Sequence, residues 1–307
     1  MLSRHAVGAF CLGVALLAAP ARAVDAPRPA SQTRDNGTLD ITSDRDLEWL
    51  QQDKAYVARG NAVAKRGGLT LTGETLIAYY RNRVQTTPPP QPTPAAKPAQ
   101  AGFDTGNTDI WRVVAQGNVH ISSEGREAWS DRMDYDKDQA VVVLTGGALK
   151  AVTGTDTITA RDSLEYWQNQ DMGVARGDAK ITKENGQTLA ADLVGAHFEK
   201  DATGHSSLKT IQANGHVVIT TATDIVHGDQ GTYDLQSRRT VVFGNVRVTR
   251  GENVLEGESA EVNMDTGISQ IFPGAGKRVH ALFIQEKAQQ QEKSQQAPAP
   301  AATNGSH

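Results

Sequence analysis

Short runs in which apolar and polar side chains strictly alternate recur along this chain. Val119 and Ile121 alternate with His120 and Ser122, Ala179 and Ile181 with Lys180 and Thr182, and Val246 and Val248 with Arg247 and Thr249. A period of two puts the two sets on opposite faces of an extended strand, so each run predicts a strand with one dry and one wet face. A glycine step precedes each run, at Gly117-Asn118, Gly177-Asp178 and Gly244-Asn245, and similar steps stand at Gly60-Asn61 and Gly215-His216. Glycine has no Cβ and reaches positive φ freely, and Asn tolerates the left-handed region better than most residues. Each step therefore marks a turn, a bulge, or a close approach of two backbones.

The steps keep a regular distance. Gly117 to Gly146 is 29 residues, Gly146 to Gly177 is 31, and Gly215 to Gly244 is 29, with Gly146-Gly147 a weaker copy of the step. An acid follows at 14 residues in Glu74, Asp131, Asp229 and Glu258, counted from Gly60, Gly117, Gly215 and Gly244. An aromatic precedes the glycine by 11 residues at Trp49, Tyr135, Tyr166 and Tyr233. Four coincidences at one phase identify an internal repeat. The chain is therefore expected to be all-β, built of repeats of about 30 residues, each of two short strands and a sharp corner. The segment 44–52 could also be drawn as a helix, but Glu48-Trp49 shares its phase with Glu165-Tyr166, which predicts a strand.

The repeat sets the domain organisation. Residues 1–23 read as a signal peptide: Arg4 and His5 give a charged start, Ala6–Ala19 is apolar, and Ala21-Arg22-Ala23 is an A-x-A cleavage signature. The apolar run is shorter than the roughly 20 residues of a membrane span. Residues 24–38 form a flexible segment, and residues 39–284 one repeat domain. A Pro-rich insertion at 84–109 interrupts it as an enlarged hairpin loop: removing its 26 residues would leave Gly60 and Gly117 31 apart (57 − 26). Residues 285–307 are a Gln-, Ala- and Pro-rich tail of disordered character.

Composition then removes function classes. The one cysteine, Cys11, lies inside the signal segment, so the mature chain has no disulfide or thiol chemistry. Loss of Arg4 and Arg22 leaves 29 basic against 35 acidic residues, a net of −6, which argues against a general nucleic-acid binder. No G-x-S-x-G, H-E-x-x-H or Walker sequence occurs, and no catalytic residue, metal site or cofactor is expected. Asp131, Asp162, Asp192 and Asp229 recur once per repeat, as structural residues would. Acids near turns accept backbone N–H bonds, which is the role expected here. His120 and His216 are read as surface histidines in equivalent positions, and the recurring tyrosines as covers for strand ends. On this evidence the chain is not an enzyme.

An array of Ala-x-Gly-Asn-Val units followed by an acid and an aromatic resembles the OstA-like family of lipopolysaccharide export, most closely its periplasmic LptA-type members. The residues are Ala58-Arg59-Gly60-Asn61, Ala115-Gln116-Gly117-Asn118-Val119, Ala175-Arg176-Gly177-Asp178 and Phe243-Gly244-Asn245-Val246, with Asp131–Tyr135 and Asp229–Tyr233 as acid–aromatic halves. The resemblance implies an open, twisted β-jellyroll with an apolar interior groove. Period-two strands would put Val119, Ile121, Ile181, Ile219, Val246 and Val248 on that lining. It further implies a periplasmic lipopolysaccharide-binding transport protein that bridges inner and outer membrane and carries lipid A acyl chains. Its partners would be inner-membrane LptC-like and outer-membrane LptD-like OstA domains and head-to-tail copies of itself. The alternative is a β-solenoid filament or adhesin-like interaction protein. A β-helix enzyme ranks last, because the acids follow the repeat instead of breaking it. The insertion and the tail depart from the family pattern.

Overall fold

The computed structural model describes residues 39–82, 108–123, 125–200, 206–263 and 269–283. The signal segment, residues 24–38 and the tail lie outside them, as does the insertion apart from its last two residues. The described residues form an 18-stranded sheet. Its strands are β1 (Asp40–Thr42), β2 (Asp46–Leu50), β3 (Ala55–Arg66), β4 (Leu69–Asn82), β5 (Thr108–Ser123), β6 (Arg126–Asp136), β7 (Val141–Thr145), β8 (Lys150–Thr153) and β9 (Asp156–Thr159). They continue with β10 (Ser163–Trp167), β11 (Met172–Thr182), β12 (Thr188–Lys200), β13 (Ser206–Thr220), β14 (Ile225–Asp234), β15 (Arg239–Arg250), β16 (Asn253–Asn263), β17 (Ser269–Phe272) and β18 (His280–Leu282). One 3-10 turn, Gln168–Gln170, is the only helical element among the described residues. Residues 46–50 are strand and 51–54 turn, as the repeat phase predicted against the helix.

The glycine steps are bulges inside long strands, not joints between short ones. In β5 the register with β6 jumps from Gln116↔Arg132 to Val119↔Ser130, so Gly117 and Asn118 together oppose the single residue Asp131. Both bulge residues are left-handed, with φ of 73° and 47°. The same pair of positive φ values occurs at Gly60-Asn61, Gly177-Asp178, Gly215-His216 and Gly244-Asn245. An extra residue bends a strand and increases its twist, so each long strand turns a corner at its middle. The expected short strands are thus corrected: β5 runs for 16 residues through its corner. Gly146-Gly147 differs, because there the strand breaks into β7 and β8.

The corners split the sheet into two half-sheets. The first half of β6 pairs with β8 and its second half with β7. The first half of β11 pairs with β10 and its second half with β9. One half-sheet, here called lower, thus contains β2, β7, β10 and β17, and the upper one contains β1, β8, β9 and β18, with every long strand passing through both. The halves face each other across the apolar side, in the manner of a jellyroll. Among the described residues no strand pairing joins them opposite the corners, so the roll is open in its hydrogen bonding. Every pairing is antiparallel. A parallel β-solenoid is therefore not the architecture.

At the base of the insertion, Asn82 and Arg81 of β4 pair in register with Thr108 and Asp109. Those last two residues of the expected insertion belong to β5. Arg81 clamps this stem through Asp109 and Asp138, and Lys137 adds a second ion pair to Asp109.

Candidate binding trough

The interior face is decided one position at a time by the alternation of side chains. Strand register carries a row of residues along the upper half-sheet in the order Ile41, Ala64, Leu71, Ile121, Ala128, Ala151, Ile158, Ile181, Leu189, Ile219, Val226, Val248, Leu255, Ala281. No residue in it is polar. At a strand spacing of about 4.8 Å the row extends roughly 60 Å. A parallel row in the lower half-sheet runs from Leu47 through Met133, Leu144 and Leu164 to Val242 and Ile271. The two rows face each other and form the interior clusters.

All six lining residues expected from the sequence lie on this face. Ile121, Ile181, Ile219 and Val248 stand in the upper row; Val119 and Val246 lie nearer the corner and are almost fully buried. Ile219 and Val248 are half-buried, so the lining is closed at the corner and more open toward its upper rim. The expectation omitted the intervening strands, which contribute Leu71, Leu189, Val226 and Leu255. These strands carry no glycine step, but their alternation, as in Leu69-Thr70-Leu71, was a usable signal.

The inside is not packed solid throughout. An apolar cleft opens at the first strands between Leu39, Ile41, Leu47, Tyr56, Leu71 and Ile110, with Lys65 and Arg66 in its wall. A second, smaller one lies between Leu69, Ile121, Leu144, Leu164 and Tyr166, beside Arg126. Aromatic rings close the lower side. Trp49 donates its indole N–H to the Tyr80 hydroxyl at 2.7 Å, and Tyr56 packs on Tyr80 with centroids 5.0 Å apart. Tyr166 and Phe198 meet edge to face. Burial pushes the Tyr135 hydroxyl above its ordinary pKa, as expected for a ring in this layer.

The once-per-repeat acids stand outside the trough, on the corners. Glu74 lies over Gly117 and accepts from Asn118 at 2.8 Å; Asp229 lies over Gly244 and accepts from Asn245 at 2.9 Å. Asp131 and Asp192 lie over Gly146 and Gly215 in the same way. Glu74, Asp192 and Asp229 thus latch the bulge of the following strand through the side chain of its second residue, whereas Asp131, at the break between β7 and β8, takes the expected backbone bond, from Gly147 at 2.6 Å. The expectation of backbone bonds is corrected accordingly.

The two histidines expected to be equivalent are not. His216 occupies the second bulge position, 2.8 Å from Asp192, whose carboxylate raises its pKa. His120 lies on the outer face of β5, stacked on Trp129 at 5.0 Å, and the Lys150 ammonium lies 5.0 Å from the centroid of the Trp129 ring. Among the described residues no group of three or more His, Cys, Asp or Glu could hold a metal ion. The outer face carries ion pairs such as Arg112–Asp134 and Arg176–Glu165.

Residues 40–162 and again 157–268 match the family described as LptA/(LptD N-terminal domain) LPS transport protein. The chain belongs to this family. It is accordingly an Lpt-type chain of a lipopolysaccharide-transport family, which is a family of transport proteins and not of enzymes. The family match spans the described sheet nearly from end to end, and the expected resemblance is thereby borne out. Among solved structures, the chain is similar to the crystal structure of LptH, the LptA homologous periplasmic component of the conserved lipopolysaccharide transport device from Pseudomonas aeruginosa. The identity is 19%, the match covers 42% of this chain and 95% of that one, and the TM-score is 0.36. A comparison with curated proteins finds no match.

Proposed function

We propose that the chain is a periplasmic lipopolysaccharide-binding protein that carries lipid A acyl chains in its trough and bridges inner and outer membrane. The observation that supports this most is the unbroken apolar row from Ile41 to Ala281, which gives a hydrocarbon chain no polar interruption along the whole sheet. Each methylene taken out of water there contributes about 0.8 kcal/mol wherever it lies along the row. A lining without hydrogen-bonding groups holds a chain without fixing its position, and that suits movement along the trough. Lys65, Arg66 and Arg126 in the cleft walls suit the phosphates of the headgroup.

The bridge requires contacts at both ends of the sheet. Leu39, Leu47 and Trp49 are exposed at the first strands, and Phe272, Val279, Leu282 and Phe283 at the last. Apolar side chains beside open strand edges favour addition of another strand. The partners proposed are LptC-like and LptD-like OstA domains and further copies in head-to-tail order; no cofactor and no catalytic residue are involved. Equilibrium binding of fluorescent lipid A tests the reading. Intact lipopolysaccharide should displace the probe, and its deacylated form should fail to. Equal displacement by both would overturn the groove.

A further inference from the structure

The upper apolar row ends at the rim of the trough, and the next positions of the same inward phase are mostly polar. In register they run Arg66, Leu69, Ser123, Arg126, Thr153, Asp156. Lys183 continues the phase of Ala179 and Ile181, and its backbone N–H donates to the Gln187 carbonyl at 2.9 Å to close the β11–β12 turn. Three cations therefore stand at the mouth. Arg66 on β3, Arg126 on β6 and Lys183 at the end of β11 follow one another at intervals of three strands in the upper half-sheet. At about 4.8 Å per strand, neighbours are roughly 14 Å apart.

Each of the three faces aromatic residues of the lower half-sheet across the mouth. The Lys183 ammonium lies 6.0 Å from the centroid of the Tyr233 ring. Arg66 lines one cleft with Tyr56 and Val113, and its charge acts on the Tyr135 hydroxyl against the burial that raises it. Arg126 lines the other cleft with Leu164 and Tyr166. A cation is only weakly attracted to a tyrosine face, whereas a phosphate offers it full charge and several acceptor oxygens.

Two further observations set these cations apart. Across the middle joint, where the two family matches overlap at residues 157–162, the strand that carries Arg66 is repeated 117 residues on. Val57-Ala58-Arg59-Gly60-Asn61-Ala62 becomes Val174-Ala175-Arg176-Gly177-Asp178-Ala179, and Arg66 becomes Lys183. The position keeps its charge in both halves of the chain. Arg250 is a fourth cation of the inward phase at this rim, two residues beyond Val248, but Asp224 neutralises it at 2.6 and 2.9 Å. Arg66, Arg126 and Lys183 have no such ion pair among the described residues; Asp156 lies near Lys183 but outside ion-pair reach.

We propose that Arg66, Arg126 and Lys183 are headgroup stations, each able to hold a phosphate of a lipid A-type glycolipid at the mouth while its acyl chains lie on the apolar rows. When the mouth is empty, the same cations face the tyrosines of the lower half-sheet. This rests on the lipid part of the functional reading and adds to it a selection for the phosphorylated headgroup. Arg250, already neutralised, is not a station.

Displacement of fluorescent lipid A from the protein tests this, with two unlabelled competitors that share their acyl chains: phosphorylated lipid A and its dephosphorylated form. The wild-type chain should bind the phosphorylated form at least tenfold more tightly. The triple variant Arg66→Gln, Arg126→Gln, Lys183→Gln should bind both forms alike. Lys183→Gln alone should lose part of the preference and Lys183→Arg should keep it, as should Arg250→Gln and the outer-face Lys180→Gln. Equal binding of the two forms by the wild-type chain overturns the stations and leaves the apolar trough standing. A preference lost as fully in Arg250→Gln as in Lys183→Gln would reduce it to general charge attraction and also overturn them. Displacement of the probe by inorganic phosphate alone would assign the cations to free phosphate and not to a headgroup. If labelled lipid A does not bind at all, the lipid reading and this inference fail together.

Discussion

Replacing Gly244 with Ala separates the two demands that the corner makes on its glycine. The first is conformational: φ is +76° there, and a side chain in the left-handed region costs about 1–2 kcal/mol. The second is steric. A Cβ at this position would lie 2.8 Å from the Asp229 Cβ and 2.9 Å from its Cγ, well inside van der Waals contact. Asp229 is short and held by Asn245 at 2.9 Å, so relief requires moving the latch. A lost hydrogen bond near the surface costs about 0.5–1.5 kcal/mol, and overpacking adds about 1 kcal/mol or more. Gly244→Ala should therefore cost about 3 kcal/mol. Gly251→Ala is the internal reference, because φ is +57° there and nothing lies within 4 Å of an added Cβ. It should cost only about 1 kcal/mol, from conformation alone. In a chain of this size, 1 kcal/mol moves Tm by about 2–4 °C, so thermal unfolding should show losses of about 6–12 °C and about 2–4 °C. In an Asp229→Ala background the cost of Gly244→Ala should fall to that of Gly251→Ala. Equal losses at the two glycines, or strict additivity with Asp229→Ala, would refute the latch.

Other expectations follow from the same geometry. Leu144→Ala removes a nearly fully buried side chain between Met133 and Leu164 at the middle joint, and should destabilise by about 2–5 kcal/mol in chemical denaturation. Burial raises the carboxyls of Glu165 and Asp134, but the hydrogen bonds from Arg176 and Arg112 outweigh it and hold both below the usual range. Asp224 is held down by Arg250 as well. A folded pKa below the unfolded one stabilises above the unfolded value, so Tm should be flat from pH 7 to 5 and fall below about pH 4. For His216 the sign is opposite, since the Asp192 hydrogen bond raises its pKa. That contribution is complete below about pH 6.5 and is lost as pH rises through the higher folded value. An NMR titration should give a midpoint above about 6.5 that returns to it in Asp192→Asn.

Much of this architecture is legible in the sequence because glycine and Asn advertise a backbone state. A Gly-Asn step with positive φ at both residues is written in residue identity, so the corners and the period could be placed. On the alternate strands the residue opposite the bulge is the acid, Glu74, Asp131, Asp192 or Asp229, and beside it stand Gly73, Ser130, Ala191 or Gly228, small residues that share no identity. The acid marks the corner, but the lining residues of these strands, Leu71 and Leu189 among them, are marked only by their alternation with polar neighbours. Nor does a one-dimensional period tell which bulge an acid serves. Glu74 and Asp131 both flank Gly117 in the sheet, and only the side-chain direction sends Glu74 to Gly117 and Asp131 to Gly146. The strand at 46–50 was legible through the shared phase of Glu48 and Glu165, whereas the break into β7 and β8 was not, since it depends on where a strand stops pairing.

The trough is tested most directly by photocrosslinking to lipopolysaccharide, with the reactive side chain at Ile219 or Val248, which are half-buried in the upper row, and at the outward-facing His120 or Arg247 as controls. The account predicts lipid adducts at Ile219 and Val248 and none at the controls. Adducts at all four sites alike, or only at the outer face, would contradict it.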